Sequence, residues 1–581
     1  MQQLTIAILT VISFFVSFTL ILCSHLGLFI VQAQPLNATG LLSNLTDDNH
    51  YWKPFSDTNV TQTNGNLTIS IKNNYTQKIF NRAFLQTQLN TSTIAPLVLT
   101  LDYSSKDLSY APARKPIFMI EIRDIKSNNI LWSQWLNETS GKLLNDSFTI
   151  PSNVLNKPIE FRLYIITEGG PSQSSLSLKD LYINGKPKIT DNNIKVEVLL
   201  KGLKFPTSMA FLGPNDLLVL EKNEGVVKRI LNGVIQNESL LDVPVANGME
   251  RGMLGIAVKK TNIGPVHVFL YFTESVKNGD DVSEKKIPLG NRLYRYDLVD
   301  DKLVNPKLLL DLPSEPGRPS EPCCIHNAGK IAIGLDNNVY TIIGDVQGHR
   351  SESQNVRNGT GPDGTSAIYR ITQDGKAVSP TILGDTKPLN MYYAYGIRNS
   401  FGIDFDPVTG NLWDTENGYI NGGDEINLVE PGFNSGWLKV MGMWNTTHAP
   451  HPDSLGKNET SLVDFGKGKY SDPEFTWSYN DVGLTAVKFF NSTKFGKQYE
   501  NDMFVGNYHK GYLYHFDLSK ERNSLILDGP LSDKVADNST ELEKVIFGQG
   551  FGGITDIQVG LDGYLYVLTY EGTIFRLVPS T

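Results

Sequence analysis

Residues 51–187 contain short runs in which apolar and polar side chains alternate, and each run is bounded by Asn, Gly, Pro or Ser. A period of two is typical of a strand with one buried face, and the segment has no helical period of useful length. The pattern predicts an antiparallel β-sandwich. The runs are NLTISIKN, PLVLTLDYSS, PIFMIEIRDI, NILWSQWL, DSFTIPS, IEFRLYIIT and LSLKDLYING.

The predicted sandwich resembles a jelly roll of the carbohydrate-binding-module kind, in which surface aromatic rings stack on sugars. Trp52, Trp132 and Trp135 are the candidate stacking platforms, and they would allow the sandwich to bind surface glycans. The alternative is a spacer domain whose tryptophans belong to an ordinary core. Residues 188–197 follow and are interpreted as a linker.

A different pattern repeats over residues 198–581. Each unit has an apolar strand, a turn and a second apolar strand, and six such units occur. One unit cannot bury both faces of its sheet, so repeated units of this kind pack radially around a channel. We predict an all-β, six-bladed propeller whose inner strands begin at a shared pocket. The inner strands are predicted at SMAFL, LGIAVKK, GKIAI, FGIDF, LTAVKFF and TDIQV.

The N-terminal residues 4–33 contain no Lys, Arg, Asp or Glu and are long enough to cross a bilayer. We interpret 1–35 as a signal peptide or a retained membrane anchor, and 36–50 as a polar leader. Either interpretation places the rest of the chain outside the cytoplasm, secreted or on the outer face of the membrane. Asn-X-Ser/Thr sequons agree with a glycosylated surface protein. They lie at Asn37, Asn44, Asn59, Asn66, Asn74, Asn90, Asn137, Asn145, Asn237, Asn358, Asn445, Asn458, Asn491 and Asn538.

The acidic net charge of the chain bears on whether its partner is a nucleic acid. The chain has 52 Lys and Arg against 61 Asp and Glu, which gives a formal net charge of −9. Nucleic-acid binding needs clustered basic side chains, so we exclude a nucleic-acid partner.

Polar residues stand directly before two of the predicted inner strands. His326 precedes the third, where a neutral imidazole can take a proton from a sugar hydroxyl, and Arg398 with Asn399 precedes the fourth. An arginine there can stabilise a developing oxyanion or hold a carboxylate. The alternatives are a solvated loop histidine and a salt bridge between blades. Asp345 and Gln347 follow the second strand of the third unit and are possible pocket residues.

The loop 416–425 is rich in glycine and ends in two adjacent carboxylates, Asp424 and Glu425. Backbone carbonyls and carboxylate oxygens suit Ca²⁺, although the spacing is not that of an EF-hand.

These motifs carry a family resemblance. GLKFPTSMAFL, IHNAGKIAIG, YAYGIRNSFGIDFDPVTGNLW and GGDEINLVEPGFNSGW occur in this order between residues 198 and 580. They resemble the glucose/sorbosone dehydrogenase family, which comprises PQQ-dependent aldose dehydrogenases with six-bladed propellers. The resemblance implies hydride transfer from C1 of a sugar to PQQ, with His326 as the base and Arg398 and Asn399 at the cofactor. It also implies calcium at the Gly418–Tyr419 turn and a second calcium at Asp424 and Glu425.

The sequence departs from the family pattern at several cofactor contacts. Tyr419 stands where the family has Pro, and Glu250 stands where it has Gln. Phe489-Phe490 occupies the place of a PQQ-binding lysine, and Gly553-Ile554 replaces a pair of arginines. PQQ carries three carboxylates, so PQQ binding is a hypothesis that depends on other cations. Arg251, Lys488 and Lys510 are the candidates, and Glu250 and Arg251 also belong to the possible substrate pocket.

Cys323 and Cys324 are the only cysteines beyond the N-terminal segment, and they lie just before His326. Outside the cytoplasm a free thiol pair is unusual, so we predict a vicinal disulfide, with two buried thiols as the alternative.

The predicted function is oxidation of an aldose-type sugar by an exported enzyme that uses PQQ and Ca²⁺ and passes electrons to an unknown acceptor. Two alternatives stay open. One is a non-catalytic glycan-binding propeller, and the other is a calcium-dependent lactonase, which would need a ring of carboxylates around an axial metal.

Overall fold

The structure is a computed structural model of the 581-residue chain. It describes residues 202–580 except 262, 283–286, 318–323, 420–421, 445–460, 479–481 and 571, together with the strands and short adjoining segments between residues 36 and 200. The predicted signal or anchor, 1–35, lies outside the described residues. Among the residues it does describe, the structure has no helix long and apolar enough to cross a membrane.

The N-terminal region is a sandwich of two six-stranded sheets. Alternate side chains from both sheets form its core, for example Leu101, Phe118, Phe161 and Leu176, as the period-two pattern predicts. The first sheet contains Leu36–Asn37, Lys53–Phe55, Ile79–Asn90, Ile117–Asp124, Ile130–Leu136 and Pro158–Thr167. The second contains Gly40–Leu41, Asn59–Thr63, Asn66–Asn73, Leu97–Asp107, Leu144–Ile150 and Ser172–Asn184.

Two expectations for this region need correction. The predicted leader contributes two short strands, because Leu36–Asn37 and Gly40–Leu41 pair with long strands of the two sheets. Trp132 is not an open platform, since it packs against the sandwich core with its ring 6.0 Å from that of Phe148. Trp135 is 61% exposed, as a platform requires. Trp52 lies outside the described residues.

The C-terminal region forms six further sheets, which are the six blades of the predicted propeller. Blade 1 contains Pro206–Gly213, Asp216–Glu221, Val226–Leu231, Val234–Ile235 and Leu241–Asp242, and blade 2 contains Met253–Lys259, Val266–Glu274, Gly290–Val299 and Lys302–Leu312. Blade 3 contains Ile331–Ile333, Val339–Ile343, Ala367–Ile371, Tyr392–Tyr395, Phe433–Asn434 and Lys469–Tyr470, and blade 4 contains Ser400–Phe405, Leu412–Glu416, Asp424–Val429, Phe475–Trp477 and Val535–Ala536. Blade 5 contains Leu484–Phe489, Met503–Asn507, Leu513–Phe516, Ile546–Gln549 and Lys188–Ile189, and blade 6 contains Ile554–Val559, Leu565–Thr569, Thr573–Pro579 and Ile194–Leu200. Short 3₁₀ turns lie at Glu352–Gln354, Leu389–Met391, Lys497–Tyr499, Gly529–Asp533 and Glu541–Lys544.

The segment interpreted as a linker belongs largely to the propeller. Lys188–Ile189 pairs with an outer strand of blade 5, and Ile194–Leu200 pairs antiparallel with the last strand of the chain, Thr573–Pro579. An N-terminal strand therefore completes the C-terminal blade and closes the ring. The sequence IKVEVLL has the alternation of a strand, but its partner lies about 380 residues away, which local pattern does not reveal.

The propeller has two distinct faces. Inner strands begin, and second strands end, at the face that we call the upper face. The turns between these two strands lie at the opposite, lower face. The loops before the inner strands, which carry His326 and Arg398, thus meet at the upper face around the axis.

A lysine crosses the axial channel. Lys330, largely buried at 12% side-chain exposure, forms an ion pair with Asp556 of blade 6 at 3.2 Å. Its Nζ also donates to the carbonyl oxygens of Thr207 and Thr555 and to the Ser208 hydroxyl. Burial lowers the pKa of Lys330, although the Asp556 charge opposes the shift. One ammonium group therefore joins blades 1, 3 and 6.

We expect Lys330→Met to lower the free energy of unfolding by about 3–5 kcal/mol, because it leaves the buried Asp556 carboxylate without its cation. Denaturant unfolding measures the loss. Lys302→Met is the control, since Lys302 forms an exposed pair with Glu238 and its loss should cost less than about 1 kcal/mol. Equal effects of the two substitutions would contradict the role of Lys330.

Candidate active site

A histidine–aspartate pair lies at the upper mouth of the channel. His326 Nδ1 is 2.6 Å from Asp345 Oδ1, and the other oxygen of Asp345 accepts a hydrogen bond from Trp437 Nε1 at 2.9 Å. The Gln347 backbone N–H also donates to Asp345 at 3.0 Å. His326 and Asp345 are 8% and 2% exposed. The sequence placed both residues at the pocket but did not predict that they bind each other.

The charge on Asp345 fixes the orientation of the imidazole. Burial would raise the pKa of Asp345, but His326, Arg398 and the Trp437 N–H stabilise the carboxylate and lower it below its ordinary value. An ionised carboxylate only accepts hydrogen bonds, so His326 Nδ1 carries the proton and Nε2 keeps a lone pair in the neutral ring. His326 has a left-handed backbone with φ of 62°, a strained conformation that is common at functional sites.

Glu250 holds the loops of three blades together. Its carboxylate accepts hydrogen bonds from the His326 backbone N–H and from Asn399 Nδ2, the latter at 3.3 Å. Glu250 therefore has a positional role beside His326. Its charge also acts on Lys222, which the sequence analysis did not single out. Burial lowers the pKa of Lys222 to about 8, and Glu250 opposes this shift.

Arg398 lies beside two aromatic rings that contact each other, with ring centres 6.2 Å apart. Its guanidinium carbon is 5.4 Å from the ring centre of Trp437 and 5.7 Å from that of Tyr419, distances at which cation–π attraction acts. Arg398 Nη1 donates to the Asn417 carbonyl at 2.9 Å, and its backbone N–H donates to Glu416. The guanidinium thus stays at the pocket instead of forming the salt bridge between blades that was its alternative.

The glycine-rich loop is fixed by Asp424. Its Oδ1 accepts the Gly418 N–H at 2.7 Å, and its Oδ2 accepts the Val482 and Gly483 N–H groups at 2.8 Å. Asp424 was predicted as a calcium ligand, and in the structure both of its oxygens bind backbone N–H groups. Through these hydrogen bonds, Asp424 connects blade 4 to the loop before blade 5. Ile420 and Asn421 lie outside the described residues.

Two other carboxylates share a buried position in blade 4. The Ser435 hydroxyl is 2.7 Å from Glu416 and 3.4 Å from Glu425. Burial is the main cause that raises the pKa of Glu416 to about 8, and the nearby Asp414 charge adds to it. Burial and the Glu416 charge likewise raise the pKa of Glu425 well above its ordinary value. A cation bound here would relieve this repulsion, so Glu416 joins Glu425 as the candidate acidic pair.

The three basic residues predicted as substitute cations, Arg251, Lys488 and Lys510, lie in three different places. Arg251 is buried and donates to the Ser314 carbonyl. Lys488 pairs with Asp404 at 2.9 Å low in the channel, and Lys510 pairs with Asp146 of the sandwich at 2.6 Å. Neither lysine therefore supplies the cation that the family pattern has in this pocket. Cys324 is disulfide-bonded, whereas Cys323 lies outside the described residues, so the vicinal pairing stays a prediction.

A glycine allows the third and fourth blades to approach each other at the site. A Cβ on Gly344 would lie 2.4 Å from the Arg398 carbonyl oxygen and 2.6 Å from the His326 carbonyl oxygen. Both distances are too short for any side chain. The Asp345 N–H, next in the chain, donates to the Arg398 carbonyl at 2.9 Å.

The model of the glucose/sorbosone dehydrogenase family matches residues 203–576 of this chain, which is more than half of its length. The chain belongs to the glucose/sorbosone dehydrogenase family. The matched range covers the propeller and leaves the sandwich outside.

Relatives of this glucose/sorbosone dehydrogenase family member include the aldose sugar dehydrogenase of Escherichia coli K12, 24% identical over 394 residues that cover 66% of this chain and 93% of the relative. The quinoprotein glucose dehydrogenase B of Acinetobacter calcoaceticus is 27% identical over 279 residues, 44% of this chain and 54% of the relative. The crystal structure of the apo-form E. coli aldose sugar dehydrogenase aligns with a TM-score of 0.50 and 20% identity, over 67% of this chain and all of that one. The structural likeness confirms the propeller fold.

The pocket of this family member offers groups that suit a planar, polar cofactor. Among the described residues, Arg398 Nε and the side-chain oxygens of Asn399 and Gln347 are buried without a hydrogen-bond partner. Such groups are costly to bury unless a ligand or water satisfies them. Arg398 Nε and the rings of Trp437 and Tyr419 suit a planar anion such as PQQ, with fewer cations than the family pattern provides, whereas the two amide oxygens are acceptors and suit a donor such as a hydroxyl.

We expect Asp345→Asn to lower turnover about 10²-fold or more, because an amide can donate to Nδ1 and so favour the tautomer in which Nε2 is protonated. Steady-state kinetics measures the effect. Trp437→Phe keeps an aromatic ring but removes the N–H donor and part of the indole, and it leaves the Asp345 carboxylate in place, so the loss of turnover should be smaller. Wild-type turnover in Asp345→Asn would show that the carboxylate does not orient the base.

Proposed function

We propose that the protein oxidises the C1 hydroxyl of an aldose-type sugar with PQQ as hydride acceptor and Ca²⁺ as its activator. The oriented His326–Asp345 pair carries the proposal, because Asp345 holds Nδ1 and directs Nε2 of the neutral imidazole to act as the acceptor. Family membership and the names of the aldose and quinoprotein relatives support the same reaction. We further propose that the protein acts outside the cytoplasm, which rests on the apolar N-terminus and the sequons alone.

Each residue has a defined task in this proposal. His326 Nε2 accepts the proton of the sugar hydroxyl as the C1 hydrogen leaves with its electron pair. Asp345 stabilises the imidazolium that forms, since the ion pair is short and buried. Arg398 and Asn399 would hold the cofactor, and Arg398 would bind one of its carboxylates beside the rings of Trp437 and Tyr419. When bound, PQQ supplies the hydride-accepting quinone, and Ca²⁺ makes that quinone a stronger acceptor.

The calcium-dependent lactonase alternative is less well supported. It requires a ring of carboxylates around an axial metal, whereas the described part of the channel contains two lysine–aspartate pairs, Lys330–Asp556 and Lys488–Asp404. One observation favours the non-catalytic, glycan-binding alternative. Lys488 and Lys510 both pair with carboxylates, so neither replaces the cofactor-binding cations that the sequence lacks.

Dye-linked sugar oxidation with added PQQ and Ca²⁺ tests the function. We expect His326→Ala to lower the rate at least about 10²-fold, since it removes the general base. His267→Ala is the control, because His267 lies at the lower end of blade 2 beside Asp297, and its rate should equal that of the wild type. Equal rates for both variants would remove His326 from the mechanism, and no activity with any aldose would contradict the proposal.

Calcium binding at Glu416 and Glu425 predicts a thermal shift. At a hundredfold excess over Kd, Ca²⁺ should stabilise the fold by about 2.7 kcal/mol. We expect the melting temperature to rise with Ca²⁺, to fall again with a chelator, and to respond less in Glu425→Gln than in the wild type. Asp502→Asn is the control, because Asp502, His515 and Asp517 form a separate group whose ligand atoms lie within 4.8 Å of one another. A calcium response lost only in Asp502→Asn would assign the ion to blade 5 instead.

A further inference from the structure

An arc of aromatic side chains continues from the candidate active site along the upper face. The ring centre of Phe205 lies 5.1 Å from that of Tyr570, Tyr570 lies 5.6 Å from Tyr508, and Tyr508 lies 5.7 Å from His509. These four residues, which we call the aromatic arc, come from loops of blades 1, 6 and 5. Phe205 is 49% exposed, Tyr570 and Tyr508 are half-buried, and His509 is exposed.

The arc is continuous with the pocket. The His509 imidazole lies 3.1 Å from the position that a Cβ on Gly483 would occupy. The Gly483 N–H donates to Asp424, which also accepts the Gly418 N–H beside Arg398 and Tyr419. Through the buried Asp424, the loop at Gly483, which His509 contacts, is tied to the turn that carries Tyr419.

The arc stands on the side of the mouth where this chain lacks the two cofactor-binding arginines of its family. Gly553-Ile554, at the start of the inner strand of blade 6, stands in place of the two arginines. Phe489-Phe490, the expected place of the lysine, ends the inner strand of blade 5 at the lower face and is buried in the core. The upper loops of the same blades carry Tyr508 and Tyr570. Rings suit the apolar faces of a neutral sugar, whereas cations suit an anion.

The backbone at one end of the arc is strained. Phe205 has φ of 47°, a left-handed conformation that is a clear outlier for a bulky residue. Its carbonyl accepts the Lys222 N–H at 3.2 Å, which holds the loop in this conformation. Strain of this kind persists where the surroundings fix it and is common at ligand-binding positions. Here it directs an exposed ring to the rim beside Tyr570.

The sandwich stands beside the other end. Lys510 directly follows His509, and its Nζ binds Asp146 of the sandwich at 2.6 Å. Asp146 is 3% exposed and also accepts the Tyr103 hydroxyl at 2.9 Å. This buried ion pair fixes the sandwich next to the loop of Tyr508 and His509, so the arc runs along an edge between the two domains.

We propose that the aromatic arc binds the remaining sugar units of an oligosaccharide whose reducing-end aldose lies at His326. The proposal rests on the proposed function and specifies its substrate class as oligosaccharides instead of free monosaccharides. The units beyond the first stack on Tyr508, Tyr570 and Phe205. Recognition by stacking tolerates differences between neutral sugars, while the His326 pocket selects the aldose end.

Kinetics with glucose, maltotetraose and cellotetraose test the proposal. We expect Tyr570→Ala to raise KM for at least one tetrasaccharide about three- to tenfold, because one stacking ring is lost. KM for glucose should stay unchanged. Tyr570→Phe should retain wild-type values, because it keeps the ring. Tyr564→Ala, which removes a ring at the lower face near Lys494 and Arg576, should change neither KM. Equal KM changes for glucose and the tetrasaccharides, or none, would overturn the proposal.

Calorimetric titration of the protein without added cofactor separates this proposal from the proposed function. The probes are the same tetrasaccharides after borohydride reduction, which leaves no aldose to oxidise. Binding by the wild type that weakens in Tyr508→Ala and Tyr570→Ala, but not in Tyr564→Ala, supports the arc even if no sugar is oxidised. Absence of binding by the wild type would overturn the arc even if glucose is oxidised.

Discussion

The pairing of Ile194–Leu200 with Thr573–Pro579 is the contact on which the rest of the molecule depends. An open row of six sheets would leave one face of blade 1 and one face of blade 6 exposed, which in the closed ring pack against each other. Closing the row brings all six strand starts to one axis, and residues that are far apart in the chain become neighbours. Glu250, His326 and Asn399 come from three blades and share one carboxylate. The site is therefore a product of ring closure, and no single blade contains it.

Much of the fold could be predicted because its strands obey a local rule. The seven alternating runs of the sandwich and the six inner strands of the propeller all occur as strands, since each has one face that must be buried. The misses have a different cause. Ile79–Asn90 reads IFNRAFLQTQLN, where Asn and Arg interrupt the alternation. Leu36–Asn37 and Ile194–Leu200 are strands because of distant partners, and a local pattern does not reveal a distant partner.

The candidate site was predictable in membership but less so in geometry. Position before an inner strand correctly brought His326, Arg398 and Asn399 to one mouth. Hydrogen-bond partners were not predictable, because they depend on how neighbouring blades are offset. Asp345 therefore entered as a general pocket residue, and Trp437 and Lys222 were not singled out. Asp424 was grouped with Glu425 because they are adjacent, yet adjacent strand residues point to opposite faces, and Glu425 faces Glu416 and Ser435 instead.

The bare Cα of Gly344 links the two halves of the site mechanically. The carbonyl oxygens of His326 and Arg398 both lie against the hydrogen of Gly344 that a Cβ would replace. The spacing between His326 and Arg398 is thus set by the smallest side chain available. Because any larger residue would displace both loops at once, the positions of the His326 imidazole and the Arg398 guanidinium cannot vary independently here.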